Sequence, residues 1–249
     1  MATESSDREG MRINKYIAHA GVCSRRDADD LVEQGRVHID GERVDQHGTR
    51  VREGQTVTVD GEEVYPLEFE YLLLNKPKDT ISTTDDPKDR RTVLDAIGVP
   101  EDNPSGLFPV GRLDRNTTGV LLVSNDGDLA HRLMHPRYEI PKIYYVRVQD
   151  DVKPHQLDQL KRGVELSDGA AVADQVAYLD PQRKTDIALE LHEGRNRQIR
   201  RMMEALGHTI VQLERAKYAT LTTGRLQRGE WRRLEPEEVR ELYQRVDLQ

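Results

Sequence analysis

Three groups of residues in this chain have types and spacings that could do chemistry. Asp114 lies in the run Pro109-Val110-Gly111-Arg112-Leu113-Asp114-Arg115-Asn116-Thr117-Thr118-Gly119, which leads into the apolar stretch Val120-Leu121-Leu122-Val123. An isolated aspartate in such a string is usually a turn or capping residue. It can instead serve as a nucleophile or base, provided that a guanidinium partner favours its ionised form. His131 and His135 are four apart on a helical stretch, as zinc ligands can be, but no glutamate follows His131 and no third ligand is evident. The third group is basic. Between Arg195 and Arg233 stand ten Lys and Arg residues against three acidic ones, in a chain whose net charge is −8. Such a stretch is either a solvated helix face or a local surface for phosphate.

The elements that must position these groups fall into two parts. At 249 residues, 36% hydrophobic and 5% aromatic, the chain has room for a small domain and a medium one. No apolar run approaches bilayer length. The acidic, polar start MATESSDREG lacks the basic and apolar regions of a signal peptide, so residues 1–10 are expected to form a disordered tail. The single cysteine, Cys23, excludes an internal disulfide, and a reducing cytoplasm is the default location.

From Met11 the residues Ile13, Tyr16, Ile17 and Ala20 recur at helical spacing up to Gly21. Ser24 is the expected N-cap of a second helix that closes at Gly35. Val37 to Val44 then reads as a hairpin around Asp40-Gly41, with short strands near Val51, Val57 and Val59. This predicts a helix-helix-hairpin domain over 11–59 and a charged linker over 60–70. Beyond it, the strand-like runs 71–74, 120–123, 144–148 and 187–191 mix irregularly with helical segments 128–134, 154–161 and 196–206. The fold class expected is α+β, with a catalytic domain over 71–245 built on a mixed, mainly antiparallel sheet.

Two segments carry a specific resemblance. The module from Arg12-Ile13-Asn14-Lys15 through Gly21-Val22-Cys23-Ser24-Arg25-Arg26 to Gly35-Arg36-Val37 and Asp40-Gly41 resembles the S4 RNA-binding domain. The Gly111-Arg112-Leu113-Asp114 run resembles the active-site segment of the RsuA/RluB group of pseudouridine synthases, and so do the strand, Asn125-Asp126-Gly127 turn and helix that follow it. Leu74-Asn75-Lys76-Pro77 upstream and Glu193-Gly194-Arg195-Asn196-Arg197-Gln198-Ile199-Arg200-Arg201-Met202 downstream fit the same group in order. One departure is Asp79, where many members carry glycine. The sequon Asn116-Thr117-Thr118 falls inside the matched segment and is set aside.

The resemblance implies that Asp114 is the catalytic carboxylate, Arg200 its guanidinium partner, and Tyr144 the residue that stacks on the target base. Tyr145, of opposite strand parity, should face away. Arg112 is expected to fill the gap left by a flipped-out nucleotide. Leu191 is expected to line the pocket, and Lys76, Asn196 and Arg197 to bind substrate. Arg12, Lys15, Ser24, Arg25, Arg26 and Arg36 are the RNA contacts expected of the S4 domain, with the second helix's start meeting phosphate. The implied function is isomerisation of one uridine in ribosomal RNA, with 23S favoured over small-subunit rRNA, by a monomer without cofactor or metal. The partner is rRNA or an assembling ribosomal particle, and no membrane is involved. A catalytically inert assembly factor would be expected to have lost the carboxylate.

Overall fold

Ser24 accepts a hydrogen bond from the Asp27 backbone N–H, and this cap starts a helix that buries Ala28, Leu31 and Val32. The computed structural model describes residues 10–248, so the tail expected over 1–10 lies, apart from Gly10, outside the described residues. The chain divides into two units. The first runs to Glu70 and also includes 100–107 and 125–127; the second holds 71–99, 108–124 and the remainder.

In the first unit, β1 (Met11–Arg12) precedes α1 (Ile13–His19) and α2 (Arg25–Glu33). Strands β2 (Val37–Ile39), β3 (Glu42–Arg43), β4 (Arg50–Val51), β5 (Val57–Val59) and β6 (Glu62–Val64) follow. β1 pairs with β4, and the other four form a sheet in the order β3-β2-β5-β6. Ile13, Ile17, Leu31, Val37 and Val57 make its core. The Asp40-Gly41 turn is present with both φ values positive, 52° and 82°. Asp60-Gly61 repeats it at 54° and 85°, so residues 60–64 form a second hairpin and not the start of a linker. The same dipeptide signal stood in both places; the dense charge of 60–70 masked the second. Asn125 explains why later segments join this unit: its Nδ2 donates to the Glu68 and Ser105 carbonyls at 2.9 and 3.1 Å, and its Oδ1 accepts from the Glu70 N–H at 2.8 Å.

The second unit contains β7 (Tyr71–Lys76), α3 (Val93–Ile97), β8 (Phe108–Pro109), β9 (Thr118–Ser124), α4 (Gly127–Met134) and β10 (Lys142–Val148). It continues through α5 (Pro154–Arg162), β11 (Gln175–Asp180), β12 (Arg183–Leu191), α6 (Gln198–Ala205) and β13 (Ile210–Tyr218). β14 (Leu221–Thr222), β15 (Trp231–Arg233) and α7 (Pro236–Arg245) complete it. Its nine strands form one mixed sheet, ordered β11-β12-β10-β13-β9-β7-β15 with β14 beside β13 and β8 beside β9. Among the named strands of this sheet only the β13–β9 pairing is parallel. One core gathers β10, β12 and β13 with α5 and α6, through Val146, Ile187, Leu160 and Met202. A second gathers β7 and β9 with α4 and α7, through Leu73, Leu122, Leu129 and Leu242. No helix among the described residues is long and apolar enough to cross a membrane.

Candidate active site

The loop from Gly111 to Thr117 is held from within the protein by the side chains of Lys76 and Ser82. Lys76, at the end of β7, is fully buried. Its Nζ donates to the carbonyls of Pro77, Asp114, Arg115 and Thr117 at 3.0 to 3.2 Å. The expectation that Lys76 binds substrate is therefore corrected: it is enclosed in the protein, where it gathers carbonyls that would otherwise be buried without donors. Burial lowers its pKa to about 8, opposed by the nearby Asp114 charge. Ser82, unnoticed in the sequence, both donates to the Leu113 carbonyl and accepts from the Leu113 N–H, each at 3.1 Å. A serine near the Thr83-Thr84-Asp85-Asp86 run carries no local signal of that pairing. Asp79 adopts φ 57°, a left-handed conformation that glycine accepts freely and aspartate tolerates, and it pairs with Arg115 at 3.0 Å.

Gly119 closes the loop into β9. At φ 106° it stands opposite Arg215 in the parallel pairing, and a Cβ there would sit 2.2 Å from the Arg215 carbonyl oxygen. Only glycine lets β9 and β13 approach at this point.

Asp114 thus projects from a clamped turn, and α6 brings Arg200 to it. Arg200 Nε donates to Asp114 Oδ2 at 3.3 Å, and its Nη2 reaches Thr117 Oγ1 at 3.5 Å. The Arg200 side chain is 16% exposed and that of Asp114 is 35% exposed, so the carboxylate faces outward over a largely buried counter-charge. The helix begins two residues later than the expected 196, because Arg197 takes a left-handed conformation at its N-cap.

A cleft of about 760 Å³ opens beside Asp114, with Arg112, Tyr144, Asn196 and Arg197 on its lining. A smaller recess of about 100 Å³ adjoins Asp114, Tyr144, Leu191 and Arg200. Tyr144 faces the cleft while Tyr145 is 42% exposed and lines neither cavity. Arg112, Asn196 and Arg197 are exposed at the rim, whereas Leu191 is buried. Lys142 and Arg215 also line the larger cleft; the sequence reading passed over both. His135 accepts from the Arg137 N–H at the turn after α4, a capping role.

The basic stretch is less open than its charge count implied. Arg195, Arg197, Arg200, Arg201, Arg228 and Arg232 all have carboxylate partners within 4.0 Å, and Arg215 is buried. Several of those carboxylates come from outside the stretch, as Asp168 does for Arg201.

In the first unit Arg12, Ser24, Arg25 and Arg26 are exposed, with Arg25 and Arg26 opening α2; Lys15 is half-buried on α1. Arg36 differs from expectation. Its Nε donates to Asp60 at 2.7 Å, its other nitrogens engage Asp60 and Gln34, and this raises the Arg36 pKa further while lowering that of Asp60. It braces the second hairpin turn.

The site thus sets a carboxylate over a largely buried arginine at the edge of a polar cleft. The RNA pseudouridylate synthase family matches residues 70–205, and the S4 domain family matches residues 11–57. Ribosomal large subunit pseudouridine synthase B of Bacillus subtilis is 42% identical, over 93% of this chain and 95% of its own length. The protein of the same name from Vibrio vulnificus is 37% identical, over 95% of this chain and 76% of its own. A crystal structure of a pseudouridylate synthase, 28% identical, superposes with a TM-score of 0.66 over 94% of this chain and 100% of that one. The chain belongs to the RNA pseudouridylate synthase family and carries an S4 domain.

Proposed function

We propose that this protein converts one uridine of 23S ribosomal RNA to pseudouridine, with Asp114 as the catalytic carboxylate. The observation that carries the assignment is the 3.3 Å contact between Arg200 and Asp114 at the cleft. The large-subunit preference is supported by the names of two relatives that match almost all of this chain. Asp114, Tyr144 and Arg200 are all in place, which disfavours an inert assembly factor.

The reaction breaks the bond from C1′ to uracil N1 and forms one from C1′ to C5. N1 gains a proton and C5 loses one, so no atom is gained and no redox step occurs. No cofactor or metal is required by that balance. The carboxylate acts either by attacking C1′ or by taking a proton from C2′ to give a glycal. Arg200 holds the carboxylate in position for either route through the hydrogen bond from its Nε. Because Asp114 is partly exposed, the docked nucleotide itself completes its shielding from water.

Tyr144 stacks on the uracil, Leu191 lines the space beneath it, and Arg112 occupies the gap left by the extracted nucleotide. Asn196 and Arg197 at the rim contact flanking RNA. The domain over 11–59, extended by its second hairpin, supplies further contacts through Arg12, Lys15, Ser24, Arg25 and Arg26. The protein works as a monomer in the cytoplasm, on free rRNA or an assembling ribosomal particle.

The test is to map pseudouridines in rRNA from cells with and without the gene, then add purified protein to the unmodified rRNA. Loss of a 23S pseudouridine, restored by the protein, is expected. An unchanged map with no turnover on unmodified rRNA overturns the assignment.

A further inference from the structure

Besides the exposed Arg112, two more enclosed cations of the cleft, Lys142 and Arg215, have no carboxylate within salt-bridge distance among the described residues. Lys142 and Arg215 lie on β10 and β13, and their register puts them on one face with Tyr144. Lys142 pairs with Tyr218, and Tyr144 pairs with Arg215, with a register shift that leaves Ala216 as an extra residue on β13. In a regular strand residues 215 and 218 would point to opposite faces. The bulge turns both to the same face, and the Arg215 guanidinium lies 4.5 Å from the Tyr218 ring centroid.

Both groups are only partly satisfied. Arg215 is 2% exposed; its Nε donates to the Val120 carbonyl at 2.8 Å, while its buried Nη2 has no hydrogen-bond partner. Lys142 Nζ donates to the carbonyls of Ile140 and His192 at 3.0 and 2.6 Å and stands 6.0 Å from the same tyrosine ring. Burial, and then repulsion by Arg215, lower the Lys142 pKa to about 8, opposed in part by the charges of Asp174 and Glu193. Neighbouring Arg195, Arg200 and Arg201 each have a carboxylate at 2.8 to 3.3 Å. Neither Lys142 nor Arg215 has one among the described residues. A buried guanidinium N–H without an acceptor is costly unless a ligand supplies the acceptor.

We propose that Lys142 and Arg215 form a phosphate subsite of the cleft, which receives a phosphodiester adjoining the target uridine. This rests on the proposed function, since it assigns a part of the same nucleotide. A phosphodiester brings one negative charge and two unesterified oxygens, which suit an ammonium and a guanidinium held side by side. Asp114, Tyr144, Lys142 and Arg215 line one cleft of about 760 Å³, within the size range that holds a whole small ligand. Uracil carbonyl and ribose oxygens, the other acceptors a nucleotide offers, are neutral and bring no charge to offset the two cations.

The experiment compares uridine with uridine 3′,5′-bisphosphate by isothermal titration calorimetry on the full-length protein. The wild type is expected to bind the bisphosphate roughly ten-fold more tightly or better, the strength of a charge-assisted hydrogen bond. Lys142→Gln and Arg215→Gln should each remove most of that preference while leaving uridine binding near its wild-type value. Circular dichroism and melting temperature establish which variants are folded, and the more exposed Lys142→Gln stands as the test should Arg215→Gln misfold. Absence of a preference in the wild type, or its persistence in a folded Lys142→Gln protein, overturns the subsite. Binding of the mononucleotide does not depend on which RNA is modified, so the subsite can fail while rRNA turnover succeeds, and the reverse.

Discussion

Arg200 Nε and Asp114 Oδ2 meet at 3.3 Å although 86 positions separate them in the chain. The contact exists because α6 packs through Ile199, Met202 and Met203, which leaves Arg200 directed at the loop before β9. It makes the carboxylate and guanidinium one ion pair.

Asp114→Asn keeps size and polarity but removes the charge that either route needs. Turnover on unmodified rRNA should fall on the order of 10³-fold or more, with RNA affinity retained. Arg200→Lys keeps a positive charge without the planar fork and should lose less than Arg200→Ala. Single-turnover rates with a filter-binding control measure both effects, and substantial turnover by Asp114→Asn would remove Asp114 from the chemistry.

Lys76 ties three carbonyls of the loop and that of Pro77, so Lys76→Met should cost about 3 kcal/mol or more by leaving them without a donor. Its pH dependence has a definite sign. The folded pKa, about 8, lies below the unfolded value of roughly 10.4. Between these values the unfolded chain binds more protons, so stability from this group rises with pH there and is lost as pH falls through 8. The melting-temperature gap between wild type and Lys76→Met should therefore widen from pH 8 to pH 10. A gap that narrows would show that Lys76 is not buried as a strained cation.

How far the site could be read from the chain depends on whether its parts are local. Asp114, Gly119 and the Asn125-Asp126-Gly127 turn occupy one contiguous segment, and the conformation at Gly119 explains why that segment tolerates no other residue there. Ser24 and Asp40-Gly41 were legible because caps and tight turns are set by immediate neighbours. Lys76 and Arg215 were not. Lys76 acts through carbonyls of a loop 38 to 41 positions away and Arg215 through a carbonyl of β9, and nothing in Leu-Asn-Lys-Pro distinguishes a buried clamp from a solvent-facing ligand. The β13 strand was missed because a charged residue, Arg215, takes an inward position and a bulge at Ala216 breaks the alternation. The charge of the 195–233 stretch was overvalued because its neutralising partners, such as Asp168 and Glu238, lie outside it.

Tyr144 and Tyr145 provide an internal comparison. They are adjacent on β10, yet Tyr144 lines both cavities and Tyr145 faces outward, 42% exposed. Tyr144→Ala should lower the rate roughly 100-fold or more by removing the stacking platform and misplacing the base. Tyr145→Ala should stay within about two-fold and change stability by less than about 0.5 kcal/mol, as ordinary surface substitutions do. Equal losses in steady-state turnover from the two variants would argue against a specific role for Tyr144.

Arg25 and Arg26 test the part played by the first unit. Both are exposed in the first turn of α2, whose free N–H groups already favour an anion. Replacing both with glutamate leaves the Ser24 cap and the buried face of Ala28, Leu31 and Val32 untouched, so the unit should still fold. If each arginine meets one phosphate, the slope of log affinity against log salt should become shallower by about 1.4 to 1.8, the counterions released by two contacts. Because α2 supplies no group to the chemistry, kcat at saturating RNA should change little while KM rises. Filter binding across a salt series, with turnover measured on the same rRNA, separates these quantities. An unchanged salt slope together with an unchanged KM would show that this face of the S4 domain does not touch the RNA.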